Sequence, residues 1–251
     1  MLSKNQSKLL RSLQRKKVRR EQGLFLVEGG KVVGELLDSG WPLHSLYVSD
    51  SFAAEYKTAL AACKVPIVPC SAEALTAAGS LVSNRDAIAV ARIPAATVPQ
   101  VQPGQWVLAL DRINDPGNLG TLLRIADWYG IRQLVCTEDT VDLYNPKVIS
   151  ASMGSFLRVS LEHRDLQSWL AGLPDNTPVL GAYLDGTSVH ELPGGLQGGV
   201  LLMGSEAHGI DVSLEAHVTQ KITIPSFGAA ESLNVAVATA VICDNLRRIS
   251  I

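Results

Sequence analysis

Cysteine is scarce in this 251-residue sequence, and long apolar runs are missing. The four cysteines lie far apart, with no CxxC pair and no histidine at ligand spacing, so we expect free thiols in a reducing compartment and no metal site. No apolar run approaches the roughly 18 residues of a membrane span, and the N-terminus lacks the apolar segment of a secretory signal. These gaps predict a cytoplasmic protein with no membrane partner.

Acidic side chains are absent before Glu21, although this stretch holds eight of the 22 basic residues. Such a block predicts a polyanionic partner. The alternative is a solvated N-terminal helix that only keeps the protein in solution. The net charge of −2 argues against a chain built solely to bind nucleic acid.

Familiar nucleotide-binding signatures are also missing. No GxGxxG follows the apolar strand at residues 106–110, and no GxxxxGK[ST] occurs, which disfavours an ordinary NAD-dependent enzyme. No serine or cysteine has a plausible base beside it, so covalent catalysis has little support. His208 is a candidate base, but an isolated loop histidine is more often a bystander.

The N-terminal half alternates helix and strand patterns, which predicts a small α/β unit. We expect a helix over residues 3–20 that Ser3 caps, and further helices over 31–39, 53–63 and 71–78. Strands are expected at 24–27, 43–48, 67–68 and 87–93. A stretch with three prolines at 94–105 is the best linker candidate. The predicted organisation is a domain at 1–95, a linker at 96–105 and a second domain at 106–251.

The C-terminal half is a run of βα units, which predicts a parallel sheet with helices on both faces. Strands are expected at 106–110, 133–136, 157–160, 179–184, 200–203 and 222–224. Helices are expected at 121–129, 146–153, 165–171 and 235–242. The last helix is apolar almost all round, which predicts burial on every side.

Three glycine-containing loops follow strands of this sheet, at residues 115–124, 204–209 and 226–234. In open α/β sheets ligands collect at the carboxyl ends of strands, so the loops can share one site. Each also has a simpler explanation. Asn118 can be a helix cap with Arg124 reaching into solvent, and Glu231-Ser-Leu-Asn234 can cap a core helix.

Taken together, the loops resemble the SpoU-type 2′-O-ribose RNA methyltransferases of the SPOUT superfamily. Asn118-Leu-Gly-Thr-Leu-Leu-Arg124 is similar to the family's first motif, and Leu202-Met-Gly-Ser-Glu-Ala-His-Gly209 to its second. Ile224-Pro-Ser-Phe-Gly and Glu231-Ser-Leu-Asn-Val-Ala-Val-Ala238 are similar to its third. Residues 17–31 resemble, more loosely, the family's substrate-binding domain, which is similar to ribosomal protein L30e.

The resemblance implies an α/β fold whose C-terminal domain carries a deep trefoil knot, and a homodimer with the knot edge and the last helix at its interface. It implies S-adenosylmethionine (SAM) as methyl donor, held by Met203, Gly204, Ile224, Ser226 and Leu233. The sequence departs from the pattern in two respects. Ser226 stands where the family often has methionine, and Ala229-Ala230 lacks a polar residue common there.

The implied chemistry is methyl transfer to a ribose 2′-OH by in-line displacement. Arg124 is either the base or a clamp on ribose and phosphate, since guanidinium groups hold their protons. Asn118 and Glu206 would fix Arg124, Ser232 would hold the hydroxyl or phosphate, and Asn234 would orient its loop.

The implied partner is RNA, with ribosomal RNA favoured over transfer RNA. The RNA-binding candidates are Arg15, Lys16, Lys17, Arg19 and Arg20. A catalytically silent RNA-binding or ribosome-assembly factor of the same fold is the alternative.

Overall fold

The computed structural model describes residues 2–250, and these residues fall into two units. The first unit reaches to Ala95 and also includes Asp142–Leu157, and the second holds residues 96–141 and 158–250. The sequence placed residues 142–157 in the C-terminal domain. They belong to the first unit because their apolar side chains pack there, with Tyr144 and Phe156 against the ring of Phe25 at 4.6 and 6.0 Å between centroids.

The basic N-terminal segment forms two helices, α1 (Lys4–Ser12) and α2 (Lys16–Gln22). Ser3 caps α1 as expected, in a reciprocal pair with Gln6. The single helix expected at 3–20 is wrong, because the chain turns after Leu13. The guanidinium of Arg19 explains the break, since it donates to the freed carbonyls of Leu13 (2.9 Å) and Gln14 (2.8 Å).

The first unit is built on a four-stranded sheet in the order β1-β4-β2-β3, with β4 antiparallel to both neighbours. Its strands are β1 (Leu24–Glu28), β2 (Leu43–Val48), β3 (Ile67–Pro69) and β4 (Ala87–Arg92). The helices between them are α3 (Gly30–Asp38), α4 (Asp50–Glu55), α5 (Lys57–Ala62) and α6 (Ala72–Ala78). The helix expected at 53–63 is divided at Tyr56, whose ring stacks on Phe52 at 4.4 Å.

The second unit contains a six-stranded sheet in the order β10-β8-β9-β5-β6-β7. All its pairings are parallel, which confirms the predicted sheet. The strands are β5 (Trp106–Leu110), β6 (Gln133–Cys136), β7 (Ser160–His163), β8 (Val179–Ser188), β9 (Gly199–Met203) and β10 (Gln220–Thr223). The strand expected at 157–160 begins only at Ser160, since 155–157 form a short 3-10 helix of the first unit.

The helices after these strands set the positions of the candidate residues. They are α7 (Pro116–Trp128), α8 (Pro146–Ser152, in the first unit), α9 (Leu166–Ala171), α10 (Val212–Glu215) and α11 (Val235–Ile249). Helix α7 begins before the expected Thr121, because Asp115 caps it and Pro116 occupies its first position. Asn118 is therefore not its cap.

Within the described chain, helix α11 is not buried on every side, and the resemblance assigns part of its surface to a homodimer interface. It packs against α7, and the guanidinium of Arg247 donates to the carbonyl of Tyr129 (2.7 Å) just after that helix. Val237 on the first turn of α11 is nevertheless 51% exposed, and Trp128 at the end of α7 is 85% exposed. This helix pair thus presents apolar side chains to solvent.

Other general features concern membranes, metals and thiols. Among residues 2–250 no helix is long and apolar enough to cross a membrane, and no group of three or more His, Cys, Asp or Glu side chains is placed to hold a metal. The four thiols are unpaired. Burial raises the pKa of the Cys243 thiol to about 12, which makes that thiol a poor nucleophile.

Candidate functional site

The candidate site lies where strands of the parallel sheet end. The chain leaves β5 toward α7, which carries Asn118, and leaves the neighbouring β9 into the loop that carries Glu206. The third loop follows β10 and ends at Asn234, the cap of α11. Because the strands are parallel, the loops leave the same edge of the sheet.

Asn234 joins the three loops through its side-chain amide. Its Nδ2 donates to Oδ1 of Asn118 (3.0 Å) and to Oε1 of Glu206 (2.6 Å). Its Oδ1 accepts from the backbone N–H groups of Ala236 (3.0 Å) and Val237 (3.3 Å). Both protons of the nitrogen and both lone pairs of the oxygen are therefore used, and the amide has only one sensible orientation. The side chain that caps α11 is therefore also part of the candidate site.

The hydrogen bonds to Asn234 leave other atoms of its two partners available. Within the described residues, Nδ2 of Asn118 and Oε2 of Glu206 have no hydrogen-bond partner. An amide donor and a carboxylate acceptor thus stand on either side of Asn234. This pair can receive a hydroxyl that donates to Glu206 and accepts from Asn118.

Arg124 does not make the contacts expected of it. It lies exposed on α7, and across residues 2–250 it forms no hydrogen bond or ion pair. Asn118 and Glu206 do not fix Arg124 in this structure, because both are bound to Asn234 instead. Ser232 is likewise exposed and has no hydrogen-bond partner among the described residues. Both side chains are free to meet a ligand.

The loop at 204–209 is a tight turn closed by paired backbone hydrogen bonds between Ser205 and Gly209, at 3.1 and 2.9 Å. A Cβ at Gly204 would lie 2.1 Å from the carbonyl carbon of Gly209, so only glycine fits there. The ring of His208 has no hydrogen-bond partner in the described part of the chain; only its backbone N–H is used, by Ser205 Oγ (3.2 Å). Nothing in its surroundings equips it as a base.

The residues predicted to hold a cofactor divide into two groups. Met203 is only 3% exposed and its carbonyl accepts the N–H of Asp111 (2.9 Å), so its side chain is not open to solvent in this structure. Leu233 is 48% exposed, and Ile224 is half-buried directly after β10. Ser226 lies exposed in the following loop, where its hydroxyl donates to the carbonyl of Gly228 (3.3 Å).

Leu184 is a candidate that the sequence analysis missed. It is 80% exposed, and its carbonyl accepts a hydrogen bond from Thr223 Oγ1 (3.1 Å), directly before Ile224. Exposed leucines near the end of β10 suit the flat apolar face of a purine, while the glycine turn at Gly204 allows close backbone approach. These residues fit a nucleoside-type cofactor such as SAM. Only the pairing of β8 with β10 reveals Leu184, and no sequence motif marks it.

Two family profiles match this chain. The SpoU rRNA Methylase family matches residues 105–244, and the MRM3-like substrate binding domain matches residues 4–87. The chain is 30% identical over 250 residues to the 23S rRNA (guanosine(2553)-2′-O)-methyltransferase RlmP of Bacillus subtilis, a match that covers 98% of this chain and 97% of that protein.

Solved structures with the same fold span nearly the whole chain. One is a Porphyromonas gingivalis protein assigned to the TrmH family of RNA methyltransferases, with 36% identity, a TM-score of 0.86 and coverage of 99% of both chains. Another is the AdoMet-bound rRNA methyltransferase of Sinorhizobium meliloti, with 27% identity and a TM-score of 0.88, covering 99% of this chain and 96% of that one.

Replacing Asn234 with aspartate separates its two roles. Aspartate caps helices as well as asparagine does, but it offers no donor to Asn118 and sets a second carboxylate against Glu206. We expect Asn234→Asp to keep the wild-type melting temperature while methyl transfer falls about 100-fold, since small misplacements of site groups have effects of that size. Thermal unfolding and a methyl-transfer assay measure both.

Asn145→Asp is the matched control, because Asn145 caps α8 through the backbone N–H of Lys147 and lies outside the candidate site. It should leave both properties unchanged. Near wild-type turnover in Asn234→Asp would show that Asn234 is only a cap.

Proposed function

The chain belongs to the SpoU rRNA methylase family, and from this premise we propose that it transfers the methyl group of SAM to a ribose 2′-OH of ribosomal RNA. The observation that carries the proposal is that the side-chain amide of Asn234 hydrogen-bonds to both Asn118 and Glu206. The names of the relatives support the substrate, since RlmP methylates a guanosine 2′-O in 23S rRNA and the Sinorhizobium meliloti enzyme is an rRNA methyltransferase.

SAM is the methyl donor, and its sulfonium supplies an activated methyl group. We propose that Gly204, Ile224, Ser226 and Leu233 hold it, with Leu184 completing the apolar wall. The glycine turn at 204–209 brings backbone groups close to the cofactor, and the exposed leucines exclude water from its purine.

The side chains of the site act mainly on the acceptor nucleotide. A ribose hydroxyl is a poor nucleophile and must lose a proton near the transition state. Glu206 and Asn118 can bind that hydroxyl through the atoms that Asn234 leaves available, and their fixed orientation favours an in-line approach. Ser232 is an additional exposed donor for the hydroxyl or its phosphate.

Arg124 has two candidate roles, a base or a clamp. The clamp is the better supported role, because the guanidinium is exposed and has no described partner, whereas a guanidinium gives up its proton only with difficulty. A phosphate of the bound RNA would supply the partner through paired hydrogen bonds.

Replacing Arg124 with alanine tests the proposed function. SAM affinity should stay within about twofold, because Arg124 lies outside the proposed cofactor residues. Methyl transfer to the correct RNA should fall by about 10²–10⁴-fold, the range for loss of a group that acts on the reacting atoms. Titration calorimetry with SAM and a tritium-transfer assay give the two numbers.

Arg124→Lys distinguishes the roles, since lysine keeps the charge but loses the planar fork. Wild-type turnover in Arg124→Ala on that RNA would rule out both roles. A failure of the wild-type protein to bind SAM would overturn the proposed function itself.

The first unit offers a basic surface for RNA, with one correction to the predicted residues. Arg19 is only 2% exposed, and its guanidinium binds the carboxylate of Asp142 at 2.5 and 3.1 Å. Since it cannot reach a phosphate from there, we remove it from the set. The proposed set keeps the exposed Arg15, Lys16, Lys17 and Arg20.

Helix α1 extends this surface. Lys4, Lys8 and Arg11 lie on one face of it, and together with Arg15 they line an open groove of about 660 Å³. Their spacing of three and four residues places them side by side. No carboxylate within the described residues pairs with them, unlike Lys17, which is 3.9 Å from Glu21. The match to a substrate binding domain supports this use of the surface.

Lys8→Gln combined with Arg15→Gln tests the RNA surface. We expect weaker RNA binding and a shallower dependence of log Kd on log salt, by about 0.7–0.9 for each phosphate that the variant no longer neutralises. Filter binding at several salt concentrations measures the slope. Lys57→Gln, an exposed charge on α5, is the control and should not change it. A wild-type affinity that does not vary with salt would contradict this use of the basic residues.

We also propose that two copies associate through the exposed apolar side chains of α7 and α11, which include Trp128 and Val237. Apolar side chains exposed on two packed helices favour an interface. The trefoil knot and a cytoplasmic location remain parts of the proposal. Family membership supports the knot, and the unpaired thiols suit a reducing compartment.

A further inference from the structure

A charged cluster at the end of β5 lies outside the three motif loops. The carboxylate of Asp111, 1% exposed, accepts two hydrogen bonds from the Arg112 guanidinium, both at 3.1 Å. It also accepts the backbone N–H of Asp211 at 2.8 Å. The same guanidinium pairs with the Asp211 carboxylate at 3.1 Å. We call these three residues the β5 clamp.

Arg112 adopts a backbone conformation that side chains rarely accept. Its φ is +57°, in the left-handed region that favours glycine. Its N–H donates to Thr137 Oγ1 at 2.8 Å, which ties the turn to the end of β6. A residue kept in such a conformation by its surroundings is typical of functional sites. In this conformation the guanidinium of Arg112 contacts the carboxylates of both Asp111 and Asp211.

The β5 clamp connects the chain segment that leads to Asn118 with the segment that carries Glu206. After Arg112 the chain runs directly to Asp115, the cap of α7, and then to Asn118. Asp211 follows the 204–209 turn that carries Glu206, and it caps α10 by accepting the N–H of Ser213 (3.0 Å). That hydrogen bond, with the nearby Arg112 charge, lowers the pKa of the Asp211 carboxyl, so the ion pair persists at neutral pH.

We propose that Arg112 is a positioning residue that sets Glu206 against Asn118, an inference that rests on the proposed function. Asn234 joins the tips of the two loops, and the β5 clamp joins their bases. With both contacts in place, the distance between the donor Asn118 and the acceptor Glu206 is fixed. With Asn234 alone, the loop that carries Glu206 could rotate about that contact. Without the clamp, the 204–211 segment would move as a hinge and Glu206 would sample non-productive positions.

Arg112→Gly is the informative variant, because glycine accepts a φ of +57° and the backbone turn survives the change. We expect kcat to fall about tenfold, with KM for RNA and SAM within twofold. The melting temperature should also fall, because the buried Asp111 carboxylate loses its ion-pair partner, so kcat is measured well below it. Arg112→Lys, which keeps charge without the fork, should recover part of kcat. Asn176→Gly is the control, since Asn176 has a φ of +66° in an exposed loop of the same unit.

A double-mutant cycle with Glu206→Gln tests whether Arg112→Gly lowers kcat through Glu206. If Arg112 acts through Glu206, Arg112→Gly should change kcat less than twofold in the Glu206→Gln background. Equal fold-losses in both backgrounds would overturn the proposal and leave only a structural role.

Hydrogen exchange keeps the test independent of the proposed function. Amides of residues 205–211 should exchange about tenfold faster in Arg112→Gly, whether or not the protein methylates RNA. Unchanged exchange would overturn the clamp, whereas a wild-type protein inactive on every RNA would overturn only the activity.

Discussion

One side-chain amide, that of Asn234, holds the candidate site together. It caps α11 with its oxygen and binds Asn118 and Glu206 with its nitrogen, so one side chain serves both the last helix and the meeting of the other two loops. These hydrogen bonds use both protons of one nitrogen and one oxygen of each partner, so the second polar atom of each partner stays available. The same few atoms therefore serve the helix cap and the proposed acceptor site.

The remaining parts of the site differ from this rigid centre. Arg124 and Ser232 are exposed and have no partner within the described chain, so both side chains are available to a substrate. Rigid Asn118 and Glu206 would orient a hydroxyl, while an unpaired guanidinium can close on a phosphate after RNA arrives. The β5 clamp extends the rigid part backward from the loop tips to the sheet, so that the positions of donor and acceptor depend on β5 itself.

Much of this could be predicted from sequence, because local patterns decide it. Apolar runs such as 106–110 and 200–203 predicted the parallel sheet, and the glycine-containing loops after its strands predicted one shared site. The contacts inside that site were not predicted, since Asn118 and Glu206 were expected to fix Arg124, whereas they bind Asn234 instead. What failed depends on contacts distant in sequence. The burial of Arg19 requires Asp142, which is 123 positions away, and Arg19 in turn breaks the expected N-terminal helix. Likewise, nothing local shows that residues 142–157 join the first unit or that the Met203 side chain is buried.

The central claim is that this chain methylates a ribose 2′-OH of ribosomal RNA. The most direct measurement maps 2′-O-methyl groups across ribosomal and transfer RNA from cells with and without the gene, and again after the gene is restored. We predict that one ribosomal RNA site loses its methyl group in the deletion strain and regains it on complementation. An unchanged ribosomal RNA pattern, or a loss confined to transfer RNA, would contradict the claim.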